Sequence, residues 1–209
     1  MDTATDPADE MTMAVVLAAG GGSRFVGPTH KLLAPVGTHT VAGAAIRHVL
    51  DSRIGPVLVV SGAVDLSEVV AEIGRDDDPE LVVVEHTAWA DGQATSLQRA
   101  VKEAKRRGVD AIVVGLADQP FVDPQAWRNI AASGAPIAIA TYESRRRNPV
   151  RLHRSVWPLL PDTGDEGARS VIRLHSELVE EVPCPGSAAD IDTLEDLASW
   201  QNRSSTNSP

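Results

Sequence analysis

The chain predicts an α/β fold, a single-domain three-layer α/β/α sandwich around a mostly parallel sheet. Two observations lead there. Short β-branched runs recur along the chain with helix-like segments between them, the alternation that builds an α/β sheet. Runs such as Val57-Leu58-Val59-Val60 and Ile112-Val113-Val114 are apolar without alternation, so both faces of those strands are covered, as in parallel pairing.

In chain order, the strands expected are Ala14 to Ala19, Val57 to Val60, Leu81 to Glu85, Ala111 to Leu116 and Ile137 to Thr141. The helices carry start signals. Asp65 precedes Leu66 with Glu68 three residues on, a capping arrangement. Thr95 or Ser96 opens a segment whose Leu97, Val101 and Ala104 share a face, while Lys102, Lys105, Arg106 and Arg107 form a solvated one; it ends at Gly108. Asp123-Pro124 supplies an N-cap followed by proline at the first helical position. Thr193 with Asp196 opens a last helix, Leu194 to Gln201.

A chain of 209 residues, 43% apolar, buries one core of good size. The polar ends, residues 1–12 and 203–209, read as disordered tails around a domain at 13–202. Asp76-Asp77-Asp78-Pro79 is the most loop-like interior stretch. No run approaches a membrane helix and the first residues lack a signal-peptide pattern, which predicts a cytoplasmic protein. The formal charge of −10 argues against nucleic acid as a partner. The single cysteine, Cys184, excludes an internal disulfide and offers no zinc site.

Ligands of open α/β sheets bind beyond the carboxyl ends of the strands. The first strand runs into Leu17-Ala18-Ala19-Gly20-Gly21-Gly22-Ser23-Arg24, where glycines let the backbone approach phosphate oxygens. A dinucleotide fingerprint from Gly20 fails at Phe25, and Ser61-Gly62 ends the second strand where an acidic ribose ligand is needed. A P-loop from Gly22 reaches Gly27 but then meets Pro28 and Thr29 in place of Lys and Ser or Thr. What remains is a glycine turn with Arg24 and Lys31, in a loop long enough to fold over a triphosphate. At the end of the fourth strand, Asp118 in Leu116-Ala117-Asp118-Gln119-Pro120 is the leading Mg²⁺ ligand. Asp190 and Asp192 lie on one side of an extended segment, and either completes that site; Asp192 and Thr193 also suit a helix cap. Gly164 to Arg169 reads as a turn entering a helix at Glu166 or Gly167, placed to receive an anionic phosphate. Arg145-Arg146-Arg147 either gathers an anionic substrate or is a solvated charge run.

The first loop resembles the LAAG-x-S-x-R-M-G-x-x-K signature of the sugar-phosphate and cofactor nucleotidyltransferases, with Gly22 for the Ser, Phe25 for the Met and two extra residues before Lys31. Further segments extend the likeness, in order, to the molybdenum cofactor cytidylyltransferases: Trp89-Ala90-Asp91-Gly92 with Ser96-Leu97, Leu116 to Pro120, Asn148 to Leu152 with Gly164 to Arg169, and Asp190 to Thr193. The resemblance covers roughly residues 13 to 200. It implies a Rossmann-like, GT-A-like sheet of mixed sense with helices on both faces. It implies CTP held by Leu17 to Arg24, Lys31, Ser61, Gly92, Ser96 and Ala117, and Mg²⁺ on Asp118 with Asp190. It implies molybdopterin as acceptor in the C-terminal half, near Gln119, Pro120, Arg151, Asp165, Gly167 and Arg169, and a molybdenum hydroxylase apo-enzyme as a possible partner. Arg24, Lys31 and Asp118 carry catalysis in that picture, and Ala18-Ala19 before Gly20 matches the cytidylyl branch over the guanylyl one. Three alternatives stay open: transfer of GMP or of a nucleotide to a sugar phosphate, a nicotinamide-dependent reductase of nicotine-blue type with a similar motif set, and a non-catalytic carrier of the molybdenum cofactor.

Overall fold

The computed structural model describes residues 10–73 and 80–206, with side chains through residue 201. Asp76 to Pro79, expected as a loop, lie outside the described residues, as do 1–9 and 207–209. The strands are β1 (Thr12–Ala18), β2 (Pro35–Val36), β3 (His39–Thr40), β4 (Val57–Ser61), β5 (Leu81–Glu85), β6 (Ala111–Leu116), β7 (Ile137–Tyr142), β8 (Arg145–His153) and β9 (Val179–Pro183). The helices are α1 (Val41–Ser52), α2 (Ser67–Ile73), α3 (Gln93–Arg107), α4 (Pro124–Ala131), α5 (Arg169–Leu174) and α6 (Leu194–Thr206).

Seven strands form one sheet in the order β5-β4-β1-β6-β8-β7-β9, and β2 and β3 form a small separate ribbon. The sheet is parallel except for β8, which runs antiparallel to both β6 and β7. The side-chain alternation of β1 shows how it is sandwiched. Ala14, Val16 and Ala18 pack into one buried cluster with α1, α2 and α4, whereas Met13, Val15 and Leu17 pack into another with α3 and α5. Both faces are therefore covered, as the unbroken apolar runs require.

The start signals behave as local chemistry dictates. Asp123 Oδ1 accepts from the Gln125 amide at 2.6 Å, with Pro124 opening α4. Thr193 Oγ1 accepts from the Asp196 amide at 3.1 Å while Asp196 Oδ2 accepts from the Thr193 amide at 2.8 Å, a reciprocal capping box. The helix it opens continues past Gln201 to Thr206, so Arg203 to Thr206 are helical where a tail was expected. Helix α3 begins at Gln93, ahead of Thr95, and stops at Gly108 with φ +70°. Arg145 to Arg147, expected either to gather an anionic substrate or to form a solvated run, are the first residues of β8.

The sheet order places β1 between β4 and β6, and the loops after β1 and β6 leave from adjacent strand ends. The Ala117 amide donates to the Leu17 carbonyl at 3.0 Å, tying those two exits together. Gly115 lets Trp127 of α4 pack directly against β6, because a Cβ there would lie 2.5 Å from the Trp127 ring. None of the helices among the described residues is long and apolar enough to cross a membrane.

Candidate active site

The loop leaving β1 is fixed at both ends and open in the middle. Phe25 is buried in the core beneath it, and the Phe25 amide donates to the Gly22 carbonyl at 2.9 Å, closing a tight turn with Gly22 at φ +60°. His30 straps the turn. Its Nδ1 accepts from the Leu32 amide at 3.3 Å, so the opposite nitrogen carries the proton and donates to the Gly20 carbonyl at 3.2 Å. Burial, with the neighbouring Lys31 ammonium, lowers the His30 pKa, which keeps the ring neutral at pH 7.

Lys31 follows on a short 3₁₀ turn (Lys31–Leu33) and points across to the end of β6. Its ammonium lies 2.6 Å from Asp118 Oδ2 and 2.9 Å from Asp192 Oδ1. Arg24 reaches the other oxygen of Asp192 at 3.0 Å. Burial works against the Lys31 charge, and the Asp118 and Asp192 carboxylates outweigh it, so its pKa is raised. Gln119 turns the other way, donating to Asp190 Oδ1 at 2.8 Å, and the Ile191 amide donates to the Asp118 carbonyl at 2.8 Å. These bonds hold Asp118, Asp190 and Asp192 at one strand-end corner. Burial raises the Asp190 pKa; the Gln119 hydrogen bond opposes this, and the charges of Asp118 and Asp192 add to it.

That corner fits a hard divalent cation. Asp118 Oδ1 is buried and has no hydrogen-bond partner, a costly state for a carboxylate oxygen unless a cation or donor joins it. Among the described residues no group of three or more His, Cys, Asp or Glu side chains is preassembled around a metal position. Magnesium is commonly held by one or two carboxylates with substrate phosphate oxygens and water, a set to which Asp118 and Asp190 could contribute the carboxylates.

Two cavities meet here. The first, about 590 Å³, is walled by Leu17 to Arg24, Lys31, Trp89, Gly92, Ser96, Asp118, Asp165 and Asp192. Trp89 closes its side by packing on two glycines: a Cβ on Gly21 would lie 3.0 Å from the indole, and one on Gly62 would lie 2.9 Å from the Trp89 Cβ. The second, about 500 Å³, has an apolar floor that includes Leu97, Val114, Ile139 and Ile172, and a rim of Arg146, Arg147, Arg169 and Arg173. Leu17, Gln93, Leu116, Arg169 and Asp190 line both. The loop carrying Gly164 and Asp165 is clipped to the start of α3, the Ala94 amide donating to the Gly164 carbonyl at 2.8 Å. The six-residue helix α5 starts at Arg169, later than the expected Glu166 or Gly167, and puts the Arg169 side chain at the seam.

Most of the expected site residues gather in these cavities, with four exceptions. Arg151 is the main correction. It is 1% exposed and lies away from both cavities, donating to the Ala135 carbonyl at 2.6 Å and forming an ion pair with Glu10, so it is a core residue and not an acceptor ligand. Ser61 is buried and donates to the Val84 carbonyl at 3.4 Å, and Ala117 and Pro120 are buried beneath the corner; none of the three lines a cavity. Asp192, expected also to suit a helix cap, is the shared anchor of Arg24 and Lys31, while Thr193 with Asp196 forms the cap. Gln93 lines both cavities without having been singled out as a ligand, and Arg146 and Arg147 of the arginine run line the second.

Comparisons with known proteins bear on the fold and the family. Residues 14–181 match the model of the MobA-like NTP transferase domain. The chain is 28% identical over 194 residues to the purine catabolism protein PucB of Bacillus subtilis, spanning 87% of this chain and 92% of that protein. It superposes on a nucleotidyl transferase from Methanothermobacter thermautotroptrophicus with a TM-score of 0.75 and 25% identity, covering 94% of this chain and 99% of that one. It superposes on Rv0371C of Mycobacterium tuberculosis in complex with manganese with a TM-score of 0.72 and 26% identity, covering 92% and 98%. A glycine loop, an Arg and Lys facing strand-end carboxylates, and a family match over most of its length together make this chain a nucleotidyltransferase that belongs to the MobA-like NTP transferase family.

Proposed function

We propose that the enzyme transfers CMP from CTP to the terminal phosphate of molybdopterin, releasing pyrophosphate and forming a cytosine dinucleotide cofactor. The observation that carries this reading is the pair of adjoining cavities that meet at Asp190 and Arg169, one polar and glycine-walled, the other apolar with an arginine rim. The first suits a triphosphate: Gly20 to Gly22, Arg24 and Lys31 line it, and glycine amides and side-chain cations are the groups that bind phosphate oxygens. The second suits a flat organic body ending in a phosphate, which Arg169 and Arg147 would receive at the seam. Ala18-Ala19 in the first loop matches the cytidylyl branch of the enzymes this chain resembles, which supports cytosine.

In this reading an oxygen of the acceptor phosphate attacks the α-phosphorus of CTP. A new oxygen–phosphorus bond forms, the bond between the α-phosphorus and its bridging oxygen to the β-phosphate breaks, and pyrophosphate leaves toward the glycine loop. The nucleophile is already an anion at neutral pH, so the protein supplies alignment and positive charge in place of a general base. Mg²⁺ held by Asp118 and Asp190 would neutralise charge on the phosphates, the usual service of a divalent cation in phosphoryl transfer. The manganese complex of the similar Rv0371C supports a divalent cation of this type.

Thermal stabilisation by CTP, GTP, ATP and NADPH, each with and without Mg²⁺, tests the assignment. A ligand at 100 times its dissociation constant adds about 2.7 kcal/mol of stability. Stabilisation by CTP with Mg²⁺ above the other three is the expected result. A preference for GTP would move the enzyme to the guanylyl branch, and a response to NADPH alone would overturn nucleotidyl transfer as the activity.

A further inference from the structure

Lys31 stands as a cation beside Asp118. Its ammonium contacts Asp118 Oδ2 at 2.6 Å and Asp192 Oδ1 at 2.9 Å, and its side chain is only 11% exposed. Arg24 occupies the second oxygen of Asp192 at 3.0 Å, so three of the four carboxylate oxygens of Asp118 and Asp192 are already paired with side-chain cations. The fourth, Asp118 Oδ1, is buried without a partner.

We propose that Lys31 is the resident counter-ion of Asp118, keeping divalent metal out of the nucleotide-free site until nucleotide phosphates draw its ammonium away. A metal on Asp118 Oδ1 would share one carboxylate with the Lys31 ammonium, and two cations on one carboxylate repel strongly where water is scarce. The lysine is suited to yielding. Its charge is a point on a flexible four-carbon stem, and it borders the cavity whose glycine wall faces it, so a phosphate placed there offers a competing anion a short swing away. Arg24, 76% exposed along its side chain, has the same freedom to leave Asp192. Metal and nucleotide would then bind cooperatively, each strengthening the other by the same factor. The inference rests on Asp118 as a metal carboxylate and Lys31 as a phosphate ligand; it does not depend on which base is selected.

The test is a nucleotide-free titration with Mn²⁺, reading the electron paramagnetic resonance signal of the unbound ion. Wild type should bind weakly, and Lys31→Met should bind at least about tenfold more tightly, within the usual range of such coupling. Lys31→Arg, which keeps the charge, should stay close to wild type, and adding Asp118→Asn to Lys31→Met should abolish the gain. Lys31→Gln serves the same purpose if Lys31→Met does not fold. Equal affinity in wild type and the neutral variants, or a gain that survives Asp118→Asn, would overturn the proposal. Because no nucleotide is present, that failure is distinct from a failure of the CTP assignment, which the thermal series reads separately.

Discussion

Gly20 and Gly92 both line the first cavity, but the structure gives them opposite reasons to be glycine. A Cβ on Gly20 meets nothing within 4 Å, so the fold leaves room for a side chain there. A Cβ on Gly92 would lie 2.5 Å from the backbone carbon and oxygen of Gly164, and the residue has φ 105° and ψ 166°, a region essentially reserved for glycine. Gly20→Ala should therefore leave stability within about 0.5 kcal/mol of wild type. It should nevertheless weaken CTP binding about tenfold or more, about 1.4 kcal/mol, because the methyl projects into the space assigned to phosphate. Gly92→Ala should cost about 1 to 3 kcal/mol from backbone strain alone, with the clash against Gly164 added. Urea denaturation gives the stabilities, and calorimetric titration with CTP and Mg²⁺ gives the affinities. Unchanged nucleotide affinity in a well-folded Gly20→Ala protein would refute the placement of phosphate at this loop.

Asp118→Ala should lower the transfer rate by about 10² to 10³ with the fold retained, measured as pyrophosphate release; an unchanged rate removes Asp118 from the chemistry. Arg151→Ala should cost about 3 to 5 kcal/mol by leaving Glu10 without its buried partner, while CTP affinity in the folded protein is unchanged; a selective loss of ligand binding would return Arg151 to the site. Glu103 is held by Arg106 and Arg107 and its pKa is pushed down to about 2 from an ordinary value near 4.5. A depressed pKa stabilises the fold above the unfolded value and loses that contribution as pH falls from about 4.5 toward 2, so Glu103→Gln should show a flatter loss of stability across that window in acid denaturation.

The parallel half of the sheet was legible because burial on both faces leaves unbroken apolar runs, and four of its five expected strands end within a residue of their expected limits. The remaining one, β1, begins two residues early at Thr12. The antiparallel strand β8 hid behind its composition. Arg145, Arg146 and Arg147 lie on its exposed half, where charge is tolerated, and only Pro149 to Leu152 are buried. Edge strand β9, Val-Glu-Glu-Val-Pro, is half exposed and gave no alternating signal strong enough to mark it. In the site, the glycine loop, Lys31 and Asp118 were readable because strand ends concentrate chemistry. Arg151 misled because its partner, Glu10, is 141 residues away in sequence, and nothing local separates a buried structural arginine from one that meets a ligand. Asp192 was visible as a cap, but its link to Arg24 and Lys31 needs the folded corner, where segments distant in sequence meet.

The central claim is cytidylyl transfer to a pterin phosphate, and the most direct measurement is pyrophosphate release from CTP, compared with GTP, in the presence and absence of molybdopterin and Mg²⁺. The account predicts release from CTP that depends on both acceptor and metal, with GTP a poorer donor. Release from GTP in preference to CTP, or none from either nucleotide with the acceptor present, would contradict it.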